Sequence, residues 1–156
     1  ALRQQTLSTS QVDYMKGIEK AEAFDDPEYQ HLVDVLNAHF VCRHPENGPR
    51  QLVSTLATPV YNYFQGNNEF VMVGALNGWD QRKNLHQITV PTLLTFGEYD
   101  TMPLNVARRM QQTLPHARLT LTPDGGHCHS VDNPAAFFHN LHQYLHDVEA
   151  DQFTAY

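Results

Sequence analysis

The sequence predicts an incomplete α/β fold, a helical segment followed by two buried parallel strands and their helices. Three observations carry this. Apolar residues recur at helical spacing from Gln11 to about His44, with no strand between them. Two short, β-branched and apolar runs, VPTLLTFGEYD (Val90 to Asp100) and RLTLTP (Arg118 to Pro123), are each followed by a turn-rich loop and then a helical pattern. Two such strands cannot cover their own edges, so the sheet implied by this order needs further strands from elsewhere.

The elements follow in chain order. Val12, Met15, Ile18 and Ala21 form one apolar row, and Leu32, Val33, Leu36 and Phe40 a second. Between them, Asp25-Asp26-Pro27-Glu28 is a helix start, with proline early and acids in the first turn. RHPENGP (Arg43 to Pro49) reads as a loop and Arg50 to about Phe64 as a further helix. Phe70 to Val73 is a short apolar run, and Gly78-Trp79-Asp80 a turn that anchors an aromatic. After the first strand, Pro103 to about Leu114 is a helix with Val106, Met110 and Leu114 on one side. After the second, DGGHCHS is a loop, and Asn133-Pro134 opens an amphipathic helix to about Val148. This divides the chain into a helical segment (1–65), a connection (66–89) and a strand-bearing segment (90–156).

At 156 residues and 41% apolar, the chain is long enough for a real core. Its net charge of −7, with ten scattered Lys and Arg residues, argues against nucleic acid and anionic membrane as partners. No run approaches a membrane span, and ALRQQTLSTS has no signal-peptide core. Cys42 and Cys128 match neither a zinc spacing nor a disulfide framework, so free thiols and a cytoplasmic location are the expectation. Ten histidines is a high count, and His139, His142 and His146 share helical spacing near the end. Without an acid or cysteine to complete a site they read as a solvated face, and neither metal nor cofactor is expected.

Asp100 and His127 each lie just past a strand, and catalytic groups of parallel sheets collect at the carboxyl ends of strands. A buried carboxylate on one imidazole nitrogen fixes the tautomer and frees the other nitrogen to take a proton from a serine. In α/β-hydrolases the order is serine, acid, histidine, with the serine in a G-x-S-x-G turn. None of the four serines here, Ser8, Ser10, Ser54 and Ser130, has those flanks. The acid and base are thus read as present and the nucleophile as lying in a missing amino-terminal part, which leaves this chain alone inactive. Cys128, beside His127, reads as a packing residue and not a nucleophile.

From about Phe24 to Leu145 the sequence resembles the proline iminopeptidase branch of the α/β-hydrolases, peptidase family S33. DPEYQ, FVCR, GNNEF, Trp79-Asp80, VPTLLTFGEYD and GGHCHSVDNP resemble segments of that family in the same order. The resemblance implies the carboxy-terminal portion of an α/β-hydrolase fold, a helical cap followed by the last two parallel strands and their helices. It implies Asp100 and His127 as triad acid and base, and Glu69 as the cap carboxylate that binds the free amino group of a peptide or amino-acid amide. Glu46 matches more loosely as a second carboxylate for the same ammonium. The chain departs from the family at Asn67, where proline is usual, and carries His129 just after the base. The alternatives are an esterase or other hydrolase of the same fold, and a non-catalytic binding remnant.

Overall fold

A computed structural model of the chain describes residues 2–48 and 57–156. Helix α1 (Thr9–Lys20) begins at a reciprocal cap, in which the Ser8 hydroxyl accepts from the Gln11 amide and the Gln11 side chain accepts from the Ser8 amide. Helix α2 (Pro27–Leu36) starts where Asp26 accepts from the Tyr29 amide and Pro27 supplies a preset first turn. A single π-helical turn over Asn37–Val41 ends it. The two helices enclose a core of Leu7, Val12, Met15, Tyr29, Leu32, Leu36 and Phe40, as their apolar rows predict.

Of the helix predicted from Arg50, the described part is α3 (Thr58–Phe64), and residues 50–56 lie outside the described residues. RHPENGP contains a 3-10 turn at Pro45–Asn47 within the predicted loop. The connection that follows is mostly turns, with a 3-10 stretch at Arg82–Gln87. Trp79 is not anchored; it is 66% exposed and lines an open apolar cleft with Met102 and Val106.

Strands β1 (Thr92–Gly97) and β2 (Ala117–Thr122) pair in parallel, in register from Thr92 opposite Ala117 to Gly97 opposite Thr122. Helix α4 (Leu104–Thr113) crosses between them. Leu94 and Phe96 of β1 pack with Ala107, Leu114 and Ala117 in a second core. The packed face of α4 is Leu104, Ala107 and Met110, and Val106, one residue off that row, is exposed, contrary to the sequence expectation. By strand alternation Thr95 faces the other side. There, the predicted DGGHCHS loop contains a short helix, α5 (His129–Asp132), followed by α6 (Pro134–Glu149), which the Asn133 side chain caps. No residue of α6 is buried, and Phe138 and Leu145 are exposed. One edge of β2 meets the end of the chain, where the Leu119 amide donates to the Tyr156 carbonyl at 3.0 Å. Arg118, 2% exposed, is neutralised by Asp147 at 2.7 Å and covered by the rings of Phe153 and Tyr156.

Candidate active site

The loops after the two strands are built against each other. The Glu98 amide donates to Thr122, and the Tyr99 amide donates to Gly125. This approach requires glycine: a Cβ on Gly97 would sit 2.1 Å from the Gly126 carbonyl oxygen. The juxtaposition brings Asp100 to His127, with Oδ1 3.0 Å from the imidazole Nδ1. The Asp100 carboxylate is also fixed by its own turn, accepting from the Met102 amide at 3.0 Å and the Gly97 amide at 3.4 Å. Its side chain is 2% exposed, whereas that of His127 is 42% exposed and offers its outer edge to solvent.

Electrostatics follow from this geometry. Burial pushes the Asp100 carboxyl up, but the hydrogen bond from His127 and the amides of Met102 and Gly97 outweigh it and hold the group below the usual aspartate range. His127 is raised, first by the Asp100 hydrogen bond against the opposing effect of burial, with the charge of Glu69 adding to that of Asp100. The pair is an oriented carboxylate–imidazole dyad, and among the described residues no hydrogen bond is made by Nε2.

Glu69 sits in a loop held from both sides. The neighbouring Asn68 is buried and donates to the Tyr29 hydroxyl at 2.8 Å, while its own oxygen accepts from the Phe70 amide. Tyr29 in turn donates to Glu19, which pairs with Arg3 at 2.7 Å, and Arg3 donates to the Phe70 carbonyl. The Glu69 carboxylate accepts from the Tyr61 hydroxyl at 2.7 Å. It lines a cleft of about 540 Å³ together with Phe70, Met72 and Thr101, the residue after Asp100. Burial and the neighbouring carboxylate push the Tyr61 hydroxyl up.

Glu46 is placed differently. It lies on the exposed 3-10 turn and pairs with His44 Nδ1 at 3.2 Å, while His44 Nε2 reaches Asp124 at 2.8 Å. Among the described residues Glu46 and Glu69 share no hydrogen-bond partner. The three histidines His139, His142 and His146 lie exposed on α6. Among the described residues no group of three or more His, Cys, Asp or Glu side chains is arranged to hold a metal.

Sequence reasoning missed Asp132. This buried carboxylate accepts from the Arg43 amide at 2.8 Å, the His44 amide at 2.7 Å and the Gly126 amide at 2.7 Å. It thereby ties the loop that leaves the helical layer to the loop that carries His127. Asp132 directly precedes the Asn133-Pro134 helix start, where an acid is ordinary, so no sequence signal separated it from a surface acid. Cys42 and Cys128 are free thiols beside it. Burial and Asp132 push the Cys42 thiol up to about 12, and burial also raises Cys128, which suits packing and not nucleophilic attack.

Comparison with known proteins agrees with this architecture. No family model matches the chain. The proline iminopeptidase of Levilactobacillus brevis is 33% identical over 156 aligned residues, covering 94% of this chain and 51% of that protein. A crystal structure of proline iminopeptidase from Mycobacterium smegmatis superposes with a TM-score of 0.78 at 28% identity, over 96% of this chain and 52% of that one. The crystal structure of VinJ superposes with a TM-score of 0.83 at 26% identity, over 94% and 50% of the two chains. The chain spans about half the length of the relatives it matches. It has the fold of the carboxy-terminal portion of an α/β-hydrolase and is related to the proline iminopeptidases.

Proposed function

We propose that this segment supplies the acid and base of a serine hydrolase that cleaves an amide or peptide bond next to a free amino-terminal residue, and that the nucleophilic serine lies in an amino-terminal part absent from this chain. The observation that carries the reading is the 3.0 Å contact between buried Asp100 and half-exposed His127 at the ends of adjacent parallel strands. With Nδ1 held by Asp100, His127 Nε2 takes the serine proton as the hydroxyl attacks the scissile carbonyl. His127 then donates that proton to the leaving amine. In the second half, it takes a proton from the attacking water and gives it to the serine oxygen as the acyl group leaves as the free acid. The oxyanion donors, like the serine, belong to the other part.

Glu69 supplies the recognition of the substrate's amine. Its loop borders the same cleft as the residue after Asp100, and a carboxylate in a partly enclosed cleft gives an ammonium both charge and acceptors. Glu46 is the second candidate for that ammonium; its exposed pairing with His44 supports it less. The residues 1–65 act as cap and 90–156 as the end of the hydrolase core, with 66–89 joining them. Cytoplasmic location remains part of the reading.

The test is kinetic, in the longer polypeptide that contains the nucleophile. Glu69→Gln should lower kcat/KM on prolyl and other aminoacyl amides by about 10-fold or more, the size of one lost charge-assisted contact, while sparing N-acetylated or ester substrates. Equal turnover of both substrate classes by the unaltered enzyme, unchanged in the variant, would replace this reading with that of an esterase of the same fold.

A further inference from the structure

Behind the dyad lies a second imidazole that the reaction outlined above does not use. His129 is 8% exposed, and its ring packs against Phe137 at a centroid distance of 5.3 Å. Nε2 lies 3.1 Å from the Thr95 hydroxyl, on the face of β1 opposite Leu94 and Phe96. Nδ1 is buried and makes no hydrogen bond among the described residues; it lies 4.0 Å from Asp100 Oδ2. That Asp100 oxygen otherwise receives the Gly97 amide at 3.4 Å, a long contact.

The surroundings of His129 decide where its proton sits. The ring is faced by the Asp100 carboxylate, by the backbone carbonyls of Gly126 and His127, and by the His127 ring. At 4.0 Å the contact with Asp100 Oδ2 is electrostatic and too long for a hydrogen bond; a bare nitrogen lone pair there is repelled by the carboxylate, whereas an N–H is attracted, and the nearby carbonyls act in the same sense. A second proton on the ring is opposed by burial, which is the main influence pushing this histidine below its ordinary value. The neutral ring with hydrogen on Nδ1 resolves both constraints, because the Thr95 hydroxyl can donate to the bare Nε2.

We infer that His129 is a positioning residue for the triad acid: it carries its proton on Nδ1 and presents it to Asp100 Oδ2, so that Oδ1 stays on His127. The inference rests on the reading of Asp100 and His127 as acid and base. The packing fits such a role, since a Cβ on Gly125 would sit 2.5 Å from the His129 Cβ and push the ring away. The acid is then held between two imidazoles, one exchanging protons and one keeping its own.

The experiment uses long-range ¹H–¹⁵N spectra of the histidine rings in the longer polypeptide that contains the nucleophile, with ¹³C detection of the Asp100 carboxyl across a pH series. At neutral pH His129 should show a protonated Nδ1 and a bare Nε2, the minority tautomer of free histidine. His129→Phe should raise the Asp100 midpoint by about one pH unit, a tenfold gain in proton affinity. His129→Asn, whose amide nitrogen falls near the position of Nδ1, should restore most of it. A protonated Nε2 in the unaltered chain overturns the inference, as does an Asp100 midpoint that ignores both variants. Should His129→Phe not fold, His129→Leu takes its place in the Asp100 titration, because a protonated Nδ1 alone would also suit the Gly126 and His127 carbonyls. Because no readout is activity, failure here is distinct from failure of the hydrolase reading, which would appear as full turnover after loss of Asp100.

Discussion

The amide of His127 donates to the carbonyl of Phe40 at 2.8 Å, so the base is held by the helical layer as well as by its own strand. The next amide, of Cys128, does the same to Val41 at 2.7 Å. Phe40 and Val41 end the π turn that follows α2, so their carbonyls have no following turn of helix to accept from and are available to the histidine loop. Gly126 is the residue this arrangement requires, since a Cβ there would lie 2.8 Å from the Phe40 oxygen and 2.9 Å from that of Val41.

Gly126→Ala should therefore separate the two layers at this point. The expected result is faster amide exchange at His127 and Cys128 together with a return of the His127 titration towards the ordinary histidine value. Exchange rates measured by mass spectrometry or NMR check it, and unaltered protection of both amides would count against the interlayer bonds.

Asp132 should matter to stability more than its place on a four-residue helix suggests. Asp132→Ala leaves three backbone donors without their acceptor, at a cost of about 3 kcal/mol in total. Asp132→Asn, which retains one acceptor oxygen, should lose less. Guanidinium midpoints at unchanged slope measure both, and equal stability of Asp132→Ala and the parent chain would contradict the account.

The dyad gives stability a pH dependence of defined sign. His127 is raised when folded, so its contribution is complete below the ordinary histidine value of 6.5 and is lost as pH rises through the elevated folded value. Asp100 is lowered when folded, so its contribution is present above the ordinary value of 3.8 and is lost as pH falls through the depressed one. The pair therefore stabilises most between those two ordinary values. Asp100→Asn should flatten this dependence and bring the His127 titration down, as followed by NMR. A His127 midpoint unmoved by Asp100→Asn would show that the 3.0 Å contact is not formed in solution.

Much of the fold was legible in local chemistry. Asp26-Pro27 and Asn133-Pro134 announce helix starts because a capping oxygen and a preset φ act within one turn, and the two strands are apolar because helices cover them. That Asp100 and His127 would meet was legible from their positions past those strands. What was not legible depends on contacts far apart in sequence. Trp79 looks like an anchor from its neighbours, yet no described residue of this chain covers it. Val106 and Ala107 are indistinguishable as helix formers until the sheet selects the packed row. The roles of Asp132 and of the Arg3–Glu19–Tyr29–Asn68 chain beneath Glu69 need three-dimensional proximity across tens of residues.

If His127 serves a serine supplied from outside this chain, the rate of fluorophosphonate labelling, followed by intact mass, will depend on both. The isolated chain should remain unlabelled. The longer polypeptide with its amino-terminal part should take up one label on a serine of that part, with His127→Ala slowing the reaction by on the order of 10³-fold or more. A label on Ser8, Ser10, Ser54 or Ser130, or a labelling rate indifferent to His127→Ala, would contradict the account.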